Sequence, residues 1–316
     1  MRAYCSVTRM RLIHCACATT ITLPGAEHHT LGEVPSRKEL RFLDAAAKEI
    51  LPEDPTPSLA EIQASPNVAH MGEPGPAPQQ PSERLRVVVS GSDKALAAIL
   101  TRMMRGDYLW AEVAYIPVDT HSPAAVGWGL AGLNTEELCA LATDGPVTPS
   151  PCVRTDTGDV VAGAAAIYRG EGDEEYVGEI VVDSQRLVYR SGEAPSARFY
   201  GQFGARLVPT AGAPGIASTP IVTPLVAAGP VSRRSPEQLE RMSRNALLRG
   251  LTRGAGVAPG QTDGSRVLTG RALQSGGEAI TVELDGVRRP RTVERVTFYR
   301  HLRDIQSVKK APTDDM

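Results

Sequence analysis

A chain of 316 residues with 41% apolar and 22% charged side chains can fill two ordinary domains, which excludes both a disordered polymer and a disulfide-stapled miniature. A formal net charge of -2 gives no global field toward nucleic acid or anionic membranes. Aromatics, at 4%, leave the core to Val, Leu, Ile and Ala, and no stretch reaches the roughly 18 apolar residues that a transmembrane helix needs.

Arg2, Arg9 and Arg11 precede an apolar run from Leu12 to Pro24 that imitates a secretory signal, but His14 and several threonines interrupt it, so a disordered start is expected. Leu40, Leu43, Ala47 and Leu51 recur at helical spacing behind Ser36-x-x-Glu39, predicting one short helix over Ser36 to Leu51. Eight prolines between Pro52 and Pro81 follow, a composition that reads as a linker. Residues 1–82 are therefore expected to be a mostly disordered head and Pro-rich linker.

Folding is expected to begin at Leu85. Arg86 to Val89 predicts a buried strand that exits at Ser90-Gly91-Ser92. Leu96, Ile99, Leu100, Met103 and Met104 then mark one face of a helix that stops at Gly106. A strand over Trp110 to Pro117 completes a parallel unit, giving an α/β domain over 83–149. From 150 to 316 the texture is β-rich. Short strands are expected over Asp159–Arg169, Tyr176–Asp183, Arg186–Tyr189 and Arg198–Val208. A Pro/Gly/Ala loop is expected over 209–232, and a helix from Ser235 through Leu251, where Ser235, Pro236 and Gln238 supply the start signals. Ala279–Leu284 and Thr292–Tyr299 close the chain around Asp285-Gly286, a hairpin dipeptide.

The five cysteines lack paired C-x-x-C spacing, which points to a reducing, cytoplasmic setting and away from a zinc ribbon; His14, Cys15 and Cys17 have no second ligand pair. H-E-x-x-H, G-x-x-x-x-G-K-[ST] and G-x-S-x-G are all absent, and His28-His29 lacks the spacing that pairs two imidazoles on zinc. Arginines cluster around the late helix (Arg233, Arg234, Arg241, Arg244, Arg249, Arg253) and at the end (Arg288, Arg289, Arg291, Arg295). Either group reads as a solvated face or as a site for an anion such as a lipid head group, and without interleaved aromatics neither reads as a specific nucleic-acid site.

Three segments in order carry a resemblance. Gly91-Ser92-Asp93-Lys94-Ala95-Leu96 resembles the Gly-Gly-Asp-Gly-Thr-Leu loop of the diacylglycerol kinase, sphingosine kinase and NAD kinase catalytic superfamily. Ile116-Pro117-Val118-Asp119-Thr120-His121 resembles its Ile-Pro-Leu-Gly-Thr-Gly segment, and Asp285-Gly286-Val287 its Asp-Gly-Glu turn. The resemblance implies a fold in which a small parallel-sheet α/β domain precedes a β-rich domain, with ATP and Mg²⁺ as cofactors. It implies Asp93 and Asp285 as catalytic and metal-holding residues, and Gly91, Ser92, Lys94, Thr120 and His121 as cofactor contacts. Arg288, Arg289, Arg291 and Arg295 would meet an anionic head group.

The departures fall on the chemistry. Ser92 and Lys94 replace glycines that let backbone amides approach phosphate, Asp119 puts a negative charge where the superfamily has Gly, and Val287 replaces the Glu. The superfamily's opening strand and helix have no visible counterpart before Leu85. The reading that follows is a catalytically impaired relative that serves as a binding or regulatory module. A divergent ATP-dependent lipid kinase, and a β-rich interaction module whose motifs coincide by accident, are the alternatives. The bland readings stay open beside these: Asp93 as a first-turn acid capped by Ser92 or Ser90, Asp285 as a turn residue, His121 as a loop histidine.

Overall fold

The computed structural model describes residues 9–52, 72–193, 196–226 and 229–310. The chain divides into two units. One takes the residues up to Gly163, Pro209–Gly215 and those from Arg300 onward; the other takes Ala164–Val208 and Ile216–Tyr299.

In the first unit, strands β1 (Met10–Cys17), β2 (Glu27–Leu31), β3 (Arg84–Gly91), β4 (Glu112–Pro117) and β16 (Gln306–Ser307) form a parallel sheet in the order β16-β4-β3-β1-β2. β3 is buried from Leu85 to Gly91, as expected of a central parallel strand covered on both faces. Helix α1 spans Arg41–Ile50 and α2 spans Asp93–Arg105. α2 buries Ala95, Leu96, Ile99, Leu100, Met103 and Met104 into the aliphatic core that also takes in Leu40, Leu43 and Val87–Val89. The short α3 (Pro123–Gly127) and then α4 (Thr135–Asp144) follow β4. A capping box between Asn134 and Glu137 starts α4.

α4 ends on a buried cation. Arg86, on β3 and 1% exposed, donates to the Ala142, Thr143 and Gly145 carbonyls at 3.2, 2.6 and 2.9 Å, while its Nε reaches Glu112 Oε2 at 2.7 Å. The guanidinium fork thus satisfies carbonyls that a helix terminus leaves unpaired. A small hairpin, β5 (Val153–Thr155) with β6 (Val160–Val161), completes this unit.

These strands overturn the expectation of a disordered head. β1 and β2 are sheet strands, His28 lies within β2, and a strand and a helix, β1 and α1, do precede Leu85. β1 hides its signature because Ile13, His14, Cys15 and Ala16 are all fully buried: polar His14 finds partners inside the sheet. Ser36 and Glu39 make their reciprocal bonds (Ser36 N to Glu39 Oε2, 2.8 Å), yet the helix starts only at Arg41. Of the supposed linker, residues 53–71 lie outside the described residues, while 72–82 are held on this unit. Gly75 N donates to Asp304 Oδ2 at 3.1 Å, and the Gly72 carbonyl accepts from Arg300 Nη1 at 2.7 Å.

In the second unit an antiparallel sheet runs β12 (Leu268–Gly270), β11 (Ile216–Ile221), β10 (Gly204–Pro209), β7 (Ala165–Arg169), β13 (Ala272–Leu284), β15 (Val293–Arg300). β8 (Gly178–Val182) pairs with the first half of β13 and with β9 (Gln185–Arg190); β14 (Val287–Arg288) pairs with the end of β13. Two expectations fail here. The 209–232 segment is not a continuous loop, because alternately buried β11 runs through it. The late helix, α5 (Pro236–Arg244), starts as expected with Ser235 Oγ accepting from Gln238 N at 3.3 Å, but it ends at Asn245. A 3₁₀ turn at Arg249–Thr252 takes over where Asn245 Oδ1 captures Leu247 N at 3.0 Å, a local bond that competes with the helix.

Candidate functional site

In open parallel sheets, ligands bind beyond the carboxyl ends of the strands. β3 ends there at Ser90-Gly91, followed by the Ser92-Asp93 start of α2, and β4 ends at Pro117 before the loop with Thr120 and His121. Gly91 has to be glycine: a Cβ would lie 2.9 Å from Cys17 Cβ and 3.2 Å from Ala95 Cβ. Ser92 sits in extended conformation at the N-cap without needing glycine's freedom.

Asp93 ties the two loops together. Its Oδ1 accepts from Tyr115 Oη at 2.9 Å and Ser122 Oγ at 2.6 Å, and its Oδ2 accepts from the Ala124 amide at 2.9 Å. Gly163 closes over it, since a side chain there would come within 2.8 Å of Oδ2. The buried carboxylate is therefore engaged by protein donors on both oxygens. Lys94 turns aside to Glu33, Nζ to Oε1 2.6 Å. Asp119 Oδ1 accepts the His121 amide at 2.8 Å, an Asx-type turn that leaves His121 exposed and Thr120 half-buried. Ser92 Oγ is buried with no hydrogen-bond partner, so Ser92 caps α2 by position and not by its side chain. Ser90 cannot cap either, because its hydroxyl is committed elsewhere.

That commitment is a polar chain that sequence reasoning missed. Ser90 Oγ lies 2.8 Å from His14 Nε2 and 2.7 Å from Thr19 Oγ1, and His14 Nδ1 lies 3.1 Å from Nδ1 of exposed His28. Burial, reinforced by His28, holds the His14 pKa down to about 4. The signal lay in β1 and β2, where His14 and His28 fall in register as neighbours. Burial likewise pushes the Cys15 thiol up, and among the described residues no cluster of His, Cys, Asp and Glu suits a metal.

Asp285 lies in the second unit. Asp285 and Gly286 both have positive φ, 49° and 78°, which is the primed turn that joins β13 to β14. Its Oδ1 accepts from Ala164 N at 3.0 Å, and its own amide donates to the Ala164 carbonyl at 2.8 Å. Arg288 Nη2 pairs with Glu171 Oε1 at 2.8 Å, and the Arg289 amide belongs to the turn, while Arg291 and Arg295 are exposed. No described helix is long and apolar enough to cross a membrane.

No protein-family model matches the sequence, and no curated protein matches it. Solved structures do. A diacylglycerol kinase from Bacillus anthracis str. Sterne aligns over 97% of this chain and 98% of its own at a TM-score of 0.50 and 9% identity. An NAD kinase from Archaeoglobus fulgidus, solved in complex with ATP, aligns over 71% of this chain and 78% of its own at 0.39 and 12%. Yeast NADH kinase complexed with NADH aligns over 98% and 86% at 0.39 and 12%. With a parallel-sheet unit opening the chain, an antiparallel unit after it and a diacylglycerol kinase matched along nearly its whole length, this chain has a diacylglycerol kinase-like α/β fold.

Proposed function

We propose that the chain is a diacylglycerol kinase-like protein that has lost efficient phosphoryl transfer and acts as a binding or regulatory module. The observation that carries this reading is Asp93: with Tyr115, Ser122 and the Ala124 amide on its oxygens, it braces two loops in place of serving a cofactor. Asp285 is spent the same way on a hairpin. Both carboxylates already accept protein donors, and Asp119 adds negative charge beside the loop. Free Cys15, Cys17, Cys139 and Cys152 support the proposal of a reducing, cytoplasmic setting for this module.

Calorimetric titration of the full chain with MgATP tests it. The expected result is no saturable binding up to millimolar nucleotide; saturable binding that is lost in Asp93→Asn overturns it.

One observation favours the alternative of a divergent ATP-dependent lipid kinase. The orphaned Ser92 hydroxyl sits at the N-terminus of the 13-residue α2, where helix amides favour an anion. Lys94 is within reach of a competitor, because an exposed pair such as Lys94–Glu33 is worth no more than about 1 kcal/mol. In that reading Ser92, Lys94 and the Gly91 loop orient phosphate and ATP supplies the phosphoryl group. Transfer of labelled phosphate from ATP to a lipid, lost in Lys94→Ala, would establish it.

A further inference from the structure

Beyond the end of α5 the chain presents apolar side chains that it does not bury. Residues 244–251 are exposed without interruption, and Leu247 is 91%, Leu251 64% and Leu248 37% exposed. Three leucines in a run of eight outward-facing residues exceed the scattered surface hydrophobes of an ordinary domain. They are also held in place. The Leu248 and Arg249 amides donate to the Asn245 carbonyl at 3.1 and 2.9 Å, Arg249 Nε donates to the Ser243 carbonyl at 3.2 Å, and buried Thr252 Oγ1 donates to the Arg249 carbonyl at 2.9 Å. Beneath them Leu239, Phe199 and Val257 form a small core that anchors the helix.

Charge selects the occupant. Arg241, Arg244, Arg249 and Arg253 surround the leucines, all exposed. The carboxylates on this element are Glu237 and Glu240. Glu240 is turned inward onto the Arg198 and Phe199 amides at 2.9 and 2.8 Å and pairs with Arg244 at 3.2 Å, leaving exposed Glu237 as the lone uncommitted acid of the helix. Tyr200 shares a shallow depression with Arg241, Arg244, Glu237 and the inward-turned Glu240, and a tyrosine with one wet edge suits a membrane interface. Protein interfaces concentrate their energy in aromatic residues and under-use leucine, whereas leucines rimmed by arginines are the composition of a segment that lies in a lipid surface.

We propose that the Arg244–Arg253 tip docks on an anionic lipid surface, with Leu247, Leu248 and Leu251 entering the acyl boundary and Arg241, Arg249 and Arg253 meeting the head groups. This needs no phosphoryl transfer, so it stands whether or not MgATP binds.

Co-sedimentation of the full chain with phosphatidylcholine vesicles, with and without phosphatidylserine, tests it. The chain should bind the phosphatidylserine vesicles at least about tenfold more tightly than neutral ones. Each of Arg241→Gln, Arg249→Gln and Arg253→Gln should weaken that binding roughly fivefold, the factor of about 1 kcal/mol per basic residue at such a surface. Leu247→Glu with Leu251→Glu should weaken it at least about tenfold while circular dichroism stays unchanged, since neither side chain is packed. Absence of vesicle binding overturns the proposal, and so does binding that the leucine variant leaves intact. A chain that ignores vesicles but self-associates, with a mass by light scattering that falls in the leucine variant, overturns it in favour of a face for a second copy.

Discussion

In the parallel unit the most deeply buried charge is a guanidinium: Arg86 is clamped between Glu112 and the carbonyls that end α4. In the antiparallel unit the buried charges are carboxylates. Glu175 accepts the Ala197 and Gln202 amides at 2.7 and 2.9 Å and pairs with Arg190 at 2.9 Å, and Glu240 accepts those of Arg198 and Phe199. The contrast follows from what each unit leaves unpaired. A helix ending inside a layered α/β unit exposes carbonyls, which want a donor with several N–H groups. An irregular stretch such as 196–203 exposes amides, which want an acceptor. Both units bury an aliphatic core, the second taking in Ile167, Ile180, Leu187, Ile216, Leu273 and Phe298, so the sign of the buried charge follows the backbone groups that each unit leaves over.

The largest effect should come from breaking the guanidinium clamp. Arg86→Leu strands three carbonyls and removes a partner from Glu112, and should lower unfolding stability by about 3 to 5 kcal/mol in urea titration. Arg86→Lys should recover little, because an ammonium cannot span the same fork.

Acid should come next, and should act on the parallel unit through His14. Its folded pKa of about 4 lies below the ordinary value of 6.5, so between these values the unfolded chain holds the proton that the folded chain refuses. Stability from this group is complete above about pH 6.5 and is lost as pH falls toward 4, by roughly 3 kcal/mol. Melting curves across that window should slope less in His14→Gln; an unchanged slope would assign the acid sensitivity to carboxylates.

Glu240→Gln is the corresponding test of the antiparallel unit. An amide oxygen keeps one acceptor but loses the charge, so about 2 kcal/mol should be lost, with faster hydrogen exchange at Phe199 and Tyr200. A loss as large as that of Arg86→Leu would erase the difference between the units.

Much of this was legible. Apolar runs and stop signals gave β3, α2 and β4, and Asp285-Gly286 gave its hairpin, because each is a local pattern. β1 was not, because its inward side chains include a histidine whose partners, Ser90 and His28, are brought together only by strand pairing. β11 was hidden by the prolines and glycines around it. At the candidate site the residues were legible and their use was not. No spacing announces that Tyr115 and Ser122 will take up Asp93, or that Glu33 will hold Lys94.

Ser92→Ala should have the smallest effect and the most selective one. Replacing an N-cap serine by alanine ordinarily costs about 1 kcal/mol because the hydroxyl accepts a helix amide. Here the hydroxyl makes no such bond and is buried without a partner, so its removal relieves a desolvated polar atom and takes away nothing. Stability should stay level or rise by roughly half a kcal/mol. A loss of a full kcal/mol would mean that the hydroxyl finds a partner in solution. If that loss disappears when inorganic phosphate is added to the wild-type and variant chains alike, the site takes an anion through the amides of α2. If the gap instead widens with phosphate, the hydroxyl itself is one of the anion's ligands, and the kinase reading regains its phosphate loop.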